Sequence, residues 1–350
     1  MPLHKRSACI DYDAMVRDLN LFMNIEQVAI SMSSFDFYTS IFKDSDRPKC
    51  LRKNMTMISA DISENAIRES MPDILDILLI DRTASTVKKT KNIIWANENY
   101  AQYGRYYSVT SQIKPELITG NMGKIIMPRV LKSQDIQKER TKSKAEVFTP
   151  TWVVKKQNDA IDAVYRDDDL ETYIKRTWLE ITCGEAPYMA TRYDMQTGDL
   201  LPLSERVGFV DRKLACINNE MCDQIQWHQL VEKAYKASYG FEWNGDSLLL
   251  ARENLLYTYY DYYFAKWNQQ PTDEQFRAIA TIISYNIFQM DGLEYIIPLS
   301  NLQKKVVKKQ LSLFDITDHS KNIQKKVGKR VRIMNWSTQK MELFDKGLKP

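Results

Sequence analysis

Over the second half of the chain, apolar and polar positions fall into a repeated unit. A short apolar run ends in an acid, and a longer stretch with apolar residues at helical spacing follows. Trp178-Leu179-Glu180-Ile181 leads into the small-residue turn Thr182-Cys183-Gly184-Glu185-Ala186, and Pro187 stands where a helix would open. Ser238-Tyr239-Gly240-Phe241-Glu242 is a second such run, followed by the helix-forming residues 248–256 and their aromatic-rich extension 257–267. Residues 272–284 predict a further helix, and residues 286–293 a third short strand ending in Asp291. The pattern predicts β-α-β-α-β with Glu180, Glu242 and Asp291 at the strands' carboxyl ends. In a parallel sheet those ends line one crevice. The expected fold class is α/β, a Rossmann-like core with a mainly parallel sheet, preceded by a smaller mixed α+β region.

The remaining chain is less regular. Asp11 to Met23 has apolar residues at helical spacing, and residues 40–52 read as a loop. Ser63 is a candidate helix cap. The apolar run Ile74–Ile80 and the run Asn92–Ala96 flank a Lys-rich turn, which fits either a hairpin or a helix followed by a strand. Residues 132–144 carry both charge signs and read as an exposed helix. An amphipathic helix follows from Thr151. Residues 194–236 read as an insertion, with a strand at 207–210 and a helix at 227–237. The resulting division is an N-terminal region 1–130, a charged helical connector 131–146, a main domain 147–300 and a basic C-terminal segment 301–350. The tyrosines of 257–263 read as helix core in preference to a base-stacking platform.

Composition narrows the functional classes. The chain has 350 residues, 44% of them hydrophobic, which suits a sizeable core. No apolar run approaches the about 18 residues of a membrane span, and the N-terminus lacks the apolar stretch of a signal peptide, so a cytoplasmic protein is expected. Five cysteines without a CxxC pair, with three histidines, support neither a disulfide framework nor a metal site. The net charge of +4 is mild, but basic residues concentrate at Lys304, Lys305, Lys308, Lys309, Lys325, Lys326, Lys329 and Arg330. Two readings stay open for that block: a phosphate-facing surface or a solvated connector. A nuclease site using Asp76 or Asp81 near Lys88 and Lys91 is a weaker expectation, because no second carboxylate-x-Lys strand accompanies it.

The order Phe148-Thr149-Pro150, then Glu180 to Pro187, then Gly240-Phe241-Glu242, then residues 286–293, resembles the γ-class N6-adenine DNA methyltransferases. It looks most like the M subunits ("restriction endonuclease subunit M") of restriction–modification systems, over roughly residues 125–345. The resemblance implies an S-adenosylmethionine-dependent methyltransferase-like domain. It assigns the cofactor's methionine end to Phe148, Thr149 and Pro150, with its carboxylate and amino groups at Glu180, Thr182, Cys183 and Gly184. It assigns the ribose to Glu242 and the adenine to Asp291. It further implies double-stranded DNA as partner and a role in bacterial or phage defence.

The departures are specific. Ala186 stands where the family has a Gly, and Pro187 removes an N–H donor. The family's N-P-P-Y/F segment, which holds the flipped adenine, has no counterpart, for the chain has no Pro-Pro pair. Asn335-Trp336 reads as a hairpin turn, not as its replacement. The chain therefore reads as a methyltransferase that ends before its catalytic loop, needing a second protein subunit for that loop or for target recognition. The alternative expectation is a non-catalytic DNA-binding or assembly module on a degenerate methyltransferase fold.

Overall fold

The computed structural model describes residues 27–30, 62, 64–144, 149–301 and 327–346. The helix expected at 11–23, the loop at 40–52, the Ser63 cap, Phe148, and Lys304, Lys305, Lys308, Lys309, Lys325 and Lys326 lie outside the described residues.

In chain order the elements are β1 (Gln27–Ile30), α1 (Glu64–Ser70), α2 (Pro72–Leu79), α3 (Pro115–Ile118) and α4 (Gln134–Lys144). Then come α5 (Thr151–Asp162), α6 (Leu170–Lys175), β2 (Trp178–Ile181), α7 (Phe209–Glu220), α8 (Gln224–Lys236) and β3 (Ser238–Glu242). The series closes with α9 (Gly245–Trp267), α10 (Asp273–Asn286), β4 (Ile287–Gln289), β5 (Arg332–Asn335) and β6 (Lys340–Leu343).

The architecture is mixed α/β around a parallel sheet of order β1-β2-β3-β4. From β2 to β4 every crossover steps one strand the same way. With right-handed crossovers, α7 to α10 must then share one face of the sheet. Alternate strand residues bear this out. Trp178 stacks on Phe209 of α7, with centroids 4.8 Å apart. Leu179 and Ile181 point to the other face, where Val331, Ile333 and Phe344 of the antiparallel β5-β6 hairpin cover them. Asn335-Trp336 forms the start of that hairpin's turn, and the Trp336 indole donates to Asn286 Oδ1 at 2.8 Å.

Two expected elements differ. Residues 207–210 are not a strand, because Phe209 and Val210 begin α7. Their N–H groups donate to the carbonyls of Tyr188 and Met189 at 2.8 and 3.0 Å. A short apolar run does not separate strand from helix by periodicity. Gly208 permits this approach, since a Cβ there would sit 2.2 Å from the Met189 carbonyl oxygen. Likewise no helix opens at Pro187; residues 187–189 are turns. The expected insertion 194–236 therefore contains the β2–β3 crossover itself.

Helix α9 is the centre of the molecule. Every residue from Gly245 to Leu256 is buried, so the helix is enclosed on all sides. Further along, Tyr259, Tyr262 and Tyr263 are buried as expected of core, while Phe264 is exposed. The apolar residues of α1, α2 and 93–126 join the same core as those of α5 to α10. The Ile74–Ile80 run is mostly helix, followed by isolated bridges, not a hairpin.

Arg252, fully buried on α9, fastens these parts together. Its guanidinium donates to Ile287 O at 2.9 and 2.6 Å, to Ser284 O at 3.3 Å, to Ile80 O at 3.0 Å and to Leu78 O. These carbonyls lie at the C-termini of α2 and α10, where acceptors are left over and the helix dipole favours a cation. Burial draws the guanidinium down to about 9, so it remains charged at neutral pH.

Arg252→Met would strand these carbonyls in the core. The expected cost is about 1–3 kcal/mol for each carbonyl left without a donor, read as a shift of the urea midpoint with little change in slope. A loss below about 1 kcal/mol, the range of an ordinary hydrogen bond, would contradict this role.

Candidate functional site

The sheet brings the carboxyl ends of β2, β3 and β4 to one rim. Glu242 is in register with Gln289 of β4, and Glu180 with Gly240 of β3. The loop after β2 is drawn back over this rim by two carboxylates. Glu180 accepts from the N–H groups of Tyr188 at 3.3 Å and Met189 at 3.0 Å. Glu242 accepts from the Gly184 N–H at 3.0 Å, and from Asn244 through N–H and Nδ2 at 3.0 and 3.1 Å. Cys183 lies between the two acids: its N–H donates to Phe241 O at 2.9 Å.

This curvature needs left-handed backbone at alternate positions. Thr182, Gly184 and Ala186 have φ of 49°, 54° and 61°. Gly adopts that region freely. Thr and Ala adopt it at a cost of roughly 1–2 kcal/mol each. The position where the resembling family has Gly is thus one where this chain holds Ala186 in a Gly-favoured conformation.

Burial raises the titration of all three acidic groups in the cluster. Burial pushes the Glu180 carboxyl well above its ordinary range, and the nearby Glu242 adds to this. Burial also raises Glu242. The Cys183 thiol is raised well above its usual value by burial and by both carboxylates, so it is no nucleophile.

The expected site residues are disposed unequally. Glu180, Cys183, Gly184 and Glu242 come together. Glu180 is fully buried, so it acts on the loop from beneath. Thr182 is exposed. Asp291 lies two residues beyond Gln289, but its carboxylate turns into its own bend and accepts from the N–H groups of Leu293 and Glu294 at 2.9 and 3.1 Å. Thr149 is buried and its Oγ1 has no hydrogen-bond partner among the described residues. Pro150 caps α5, which reaches the loop through Asn158 Nδ2 on Tyr188 O at 3.0 Å. Of the basic block, Lys329 is exposed, and Arg330 is paired with Asp345 at Oδ1. Asp76 and Asp81 serve separate ends: Asp76 pairs with Arg68 at the surface, and Asp81 caps the turn at Thr83 and Ala84. Among the described residues no group of three or more His, Cys, Asp and Glu could hold a metal ion. No helix there is long and apolar enough to cross a membrane.

Sequence reasoning did not single out three groups that shape the rim. Glu185 accepts from the Arg129 N–H at 2.8 Å and from the Tyr193 hydroxyl at 2.5 Å. Gln289 accepts from the Ile94 N–H at 2.9 Å, and donates to Ile94 O and Trp243 O at 2.8 Å. Asp246 opens α9 and accepts from Asn97 at 2.9 Å, Tyr100 at 2.7 Å and Arg140 at 3.4 Å. Burial alone would raise Asp246, but Lys132, Arg140 and the Tyr100 hydroxyl outweigh it and hold the carboxyl low. Arg140 sits on α4, so the expected exposed connector helix has one buried anchor. The acid at position 246, in the first turn of the helix that follows β3, was the available signal.

The loop's outer side is open at Gly184. A Cβ built at Gly184 meets no atom within 4 Å. Glu242 keeps unused acceptor capacity beyond its bonds from Gly184 and Asn244. That carboxylate fits a ligand that offers hydroxyls and amino groups. A separate cavity of about 390 Å³ beside α4 is lined by Arg129, Gln134, Gln137, Lys138 and Thr141, none of them an expected cofactor residue.

No protein-family model, no curated protein and no solved structure matches the chain.

Two outcomes follow for stability. Thr182→Gly relieves the strain at an exposed position and is expected to stabilise the fold by about 1 kcal/mol; a destabilised variant in denaturant titration would refute the strain. The buried acids Asp81, Glu180, Glu242 and Asp211 all hold their protons more tightly folded than unfolded, Asp211 being pushed up to about 6 by burial. Their contribution is complete below about pH 4 and is lost as pH rises through the folded values. The melting temperature should therefore be higher at about pH 5 than at about pH 8. Asp211→Asn, which keeps an acceptor for the Thr191 N–H, should flatten part of that slope.

Proposed function

We propose that this chain is a DNA adenine-N6 methyltransferase-like subunit of a restriction–modification or related DNA-defence system. In this reading the parallel sheet is the core of a Rossmann-like methyltransferase domain, and the rim of β2 and β3 is its S-adenosylmethionine site. One observation carries it: the hydrogen bond from the Gly184 N–H to Glu242. It joins the small-residue loop after one strand to the acid after the next, at the edge where parallel sheets bind ligands.

Glu242 would accept from the ribose hydroxyls. Gly184 and Thr182 would border the amino-acid end; the family's adenine position falls on Asp291, whose carboxylate would have to leave its own bend to serve it. When bound, the cofactor supplies an activated methyl group. The chain's own contribution is to bind and orient. Glu180 keeps the loop folded, and the raised Cys183 thiol stays protonated and unreactive. Residues 1–350 contain no N-P-P-Y segment, so in this reading the loop that would hold the target adenine comes from outside them, with another protein subunit as the proposed source and duplex DNA as the shared partner.

A second reading draws on a specific observation. The N–H groups of Cys183, Gly184, Ala186, Tyr188 and Met189 all have protein acceptors. A loop so satisfied suits a DNA-binding or assembly module that has lost the cofactor.

Isothermal calorimetry with S-adenosylmethionine separates the two. Micromolar binding that Glu242→Gln abolishes supports the methyltransferase site, and no heat even at millimolar cofactor favours the module. In a parallel assay with labelled cofactor and duplex DNA, the purified chain alone is expected to transfer no methyl groups. Efficient adenine methylation would overturn the division of labour between subunits.

A further inference from the structure

The segment that follows the expected nuclease stretch presents aromatic rings to solvent at the same rim. Residues 95–100 lie along the start of α9. The Trp243 indole donates to Ala96 O at 2.8 Å, the Gly245 N–H to Trp95 O at 3.1 Å, and the Tyr100 hydroxyl to Asp246 at 2.7 Å. From this anchored base the chain turns outward, and residues 101–106 are all exposed. Tyr103 and Tyr106 are 51% and 54% exposed, in contrast to the buried tyrosines of α9.

The rings are held, not loose. Trp95 packs on Tyr107 at 5.4 Å between centroids, and Tyr107 on Tyr103 at 5.6 Å. One side of Tyr103 is thereby fixed from the core outward, while the ring remains half exposed. The Arg105 guanidinium lies 4.7 Å from the centroid of the Tyr106 ring and donates to its hydroxyl at 2.7 Å. Tyr103 is three residues from Tyr100, a span of at most about 11 Å. Tyr103 therefore lies within that reach of Tyr100, whose hydroxyl donates to Asp246 at the start of α9. The surrounding sequence is basic: residues 81–132 contain nine Lys and Arg against three Asp and Glu.

We infer that Tyr103, Arg105 and Tyr106 form a stacking platform for an unpaired nucleic-acid base. Half-exposed, pre-ordered tyrosines next to a guanidinium, within a basic segment, offer a π-face for a base and positive charge for its phosphates. A duplex keeps its bases stacked on one another, so the platform favours an unpaired or extruded nucleotide. The inference rests on the reading of the rim as a DNA methyltransferase site, and it names the strand-contacting surface of that site.

Fluorescence anisotropy of the full chain with a short labelled single-stranded DNA, without cofactor, tests it. Tyr103→Ala and Tyr106→Ala should each weaken binding about tenfold, while Tyr103→Phe retains it. Binding should also fall steeply between about 50 and about 200 mM salt. Thermal melts of the alanine variants are expected to match the parent, because both side chains are half exposed. Alanine variants that bind like the parent overturn the proposal, as does a parent chain that binds no single strand. Cofactor calorimetry on the same samples keeps the two ideas apart: absent cofactor heat with intact stacking sinks only the methyltransferase reading.

Discussion

A single guanidinium at the centre of α9 holds the described structure together. Among the described residues Arg252 has no carboxylate partner within hydrogen-bond reach and answers instead to the leftover carbonyls of two helix ends, α2 and α10. Such a group is expensive to bury unless every donor is satisfied. It therefore demands that residues 72–80 and 284–287 meet at one point. That meeting fixes β4 beside β3, since Ile287, the first residue of β4, supplies one of the acceptors. It also seats the 80–97 segment against the sheet, where Gln289 then takes up both backbone groups of Ile94.

The same constraint reaches the rim. With β3 and β4 in place, the acid ending β3 faces the loop after β2 and closes it through Gly184. The loop is bound from below by Glu180 and from above by Glu242. Its cost is visible in the left-handed conformations of Thr182 and Ala186. Strain of this kind persists only where surrounding structure over-determines it, and it collects at ligand sites. Local strain, buried acids with raised pKa and an open outer side coincide at this one place.

Much of this was legible in the chain. The alternation of short apolar runs and helical stretches gave β2, β3 and β4 in order, because each strand is buried on both faces and flanked by long helices. The acids at 180 and 242 were readable for the same reason: a charge at the end of a buried strand has few places to go. Other features were hidden. Val207-Gly208-Phe209-Val210 looked like a strand because its true nature depends on the distant carbonyls of residues 188 and 189. Pro187 looked like a helix opener, but the carboxylate of Glu180 claims the next two N–H groups. Arg252 sat inside a strong helix-forming run with no local sign that its partners lay about 35 and 170 residues away. Long-range polar satisfaction of this kind leaves no periodic trace in sequence.

The account comes down to whether the rim of β2 and β3 receives an adenosyl ligand, and a crystal structure of the chain soaked with S-adenosylmethionine tests that most directly. The expected result is ligand density beside Gly184, with ribose hydroxyls within hydrogen-bond distance of the Glu242 carboxylate. A rim left empty at saturating cofactor, with Gly184 still tied to Glu242 as it is here, would contradict it.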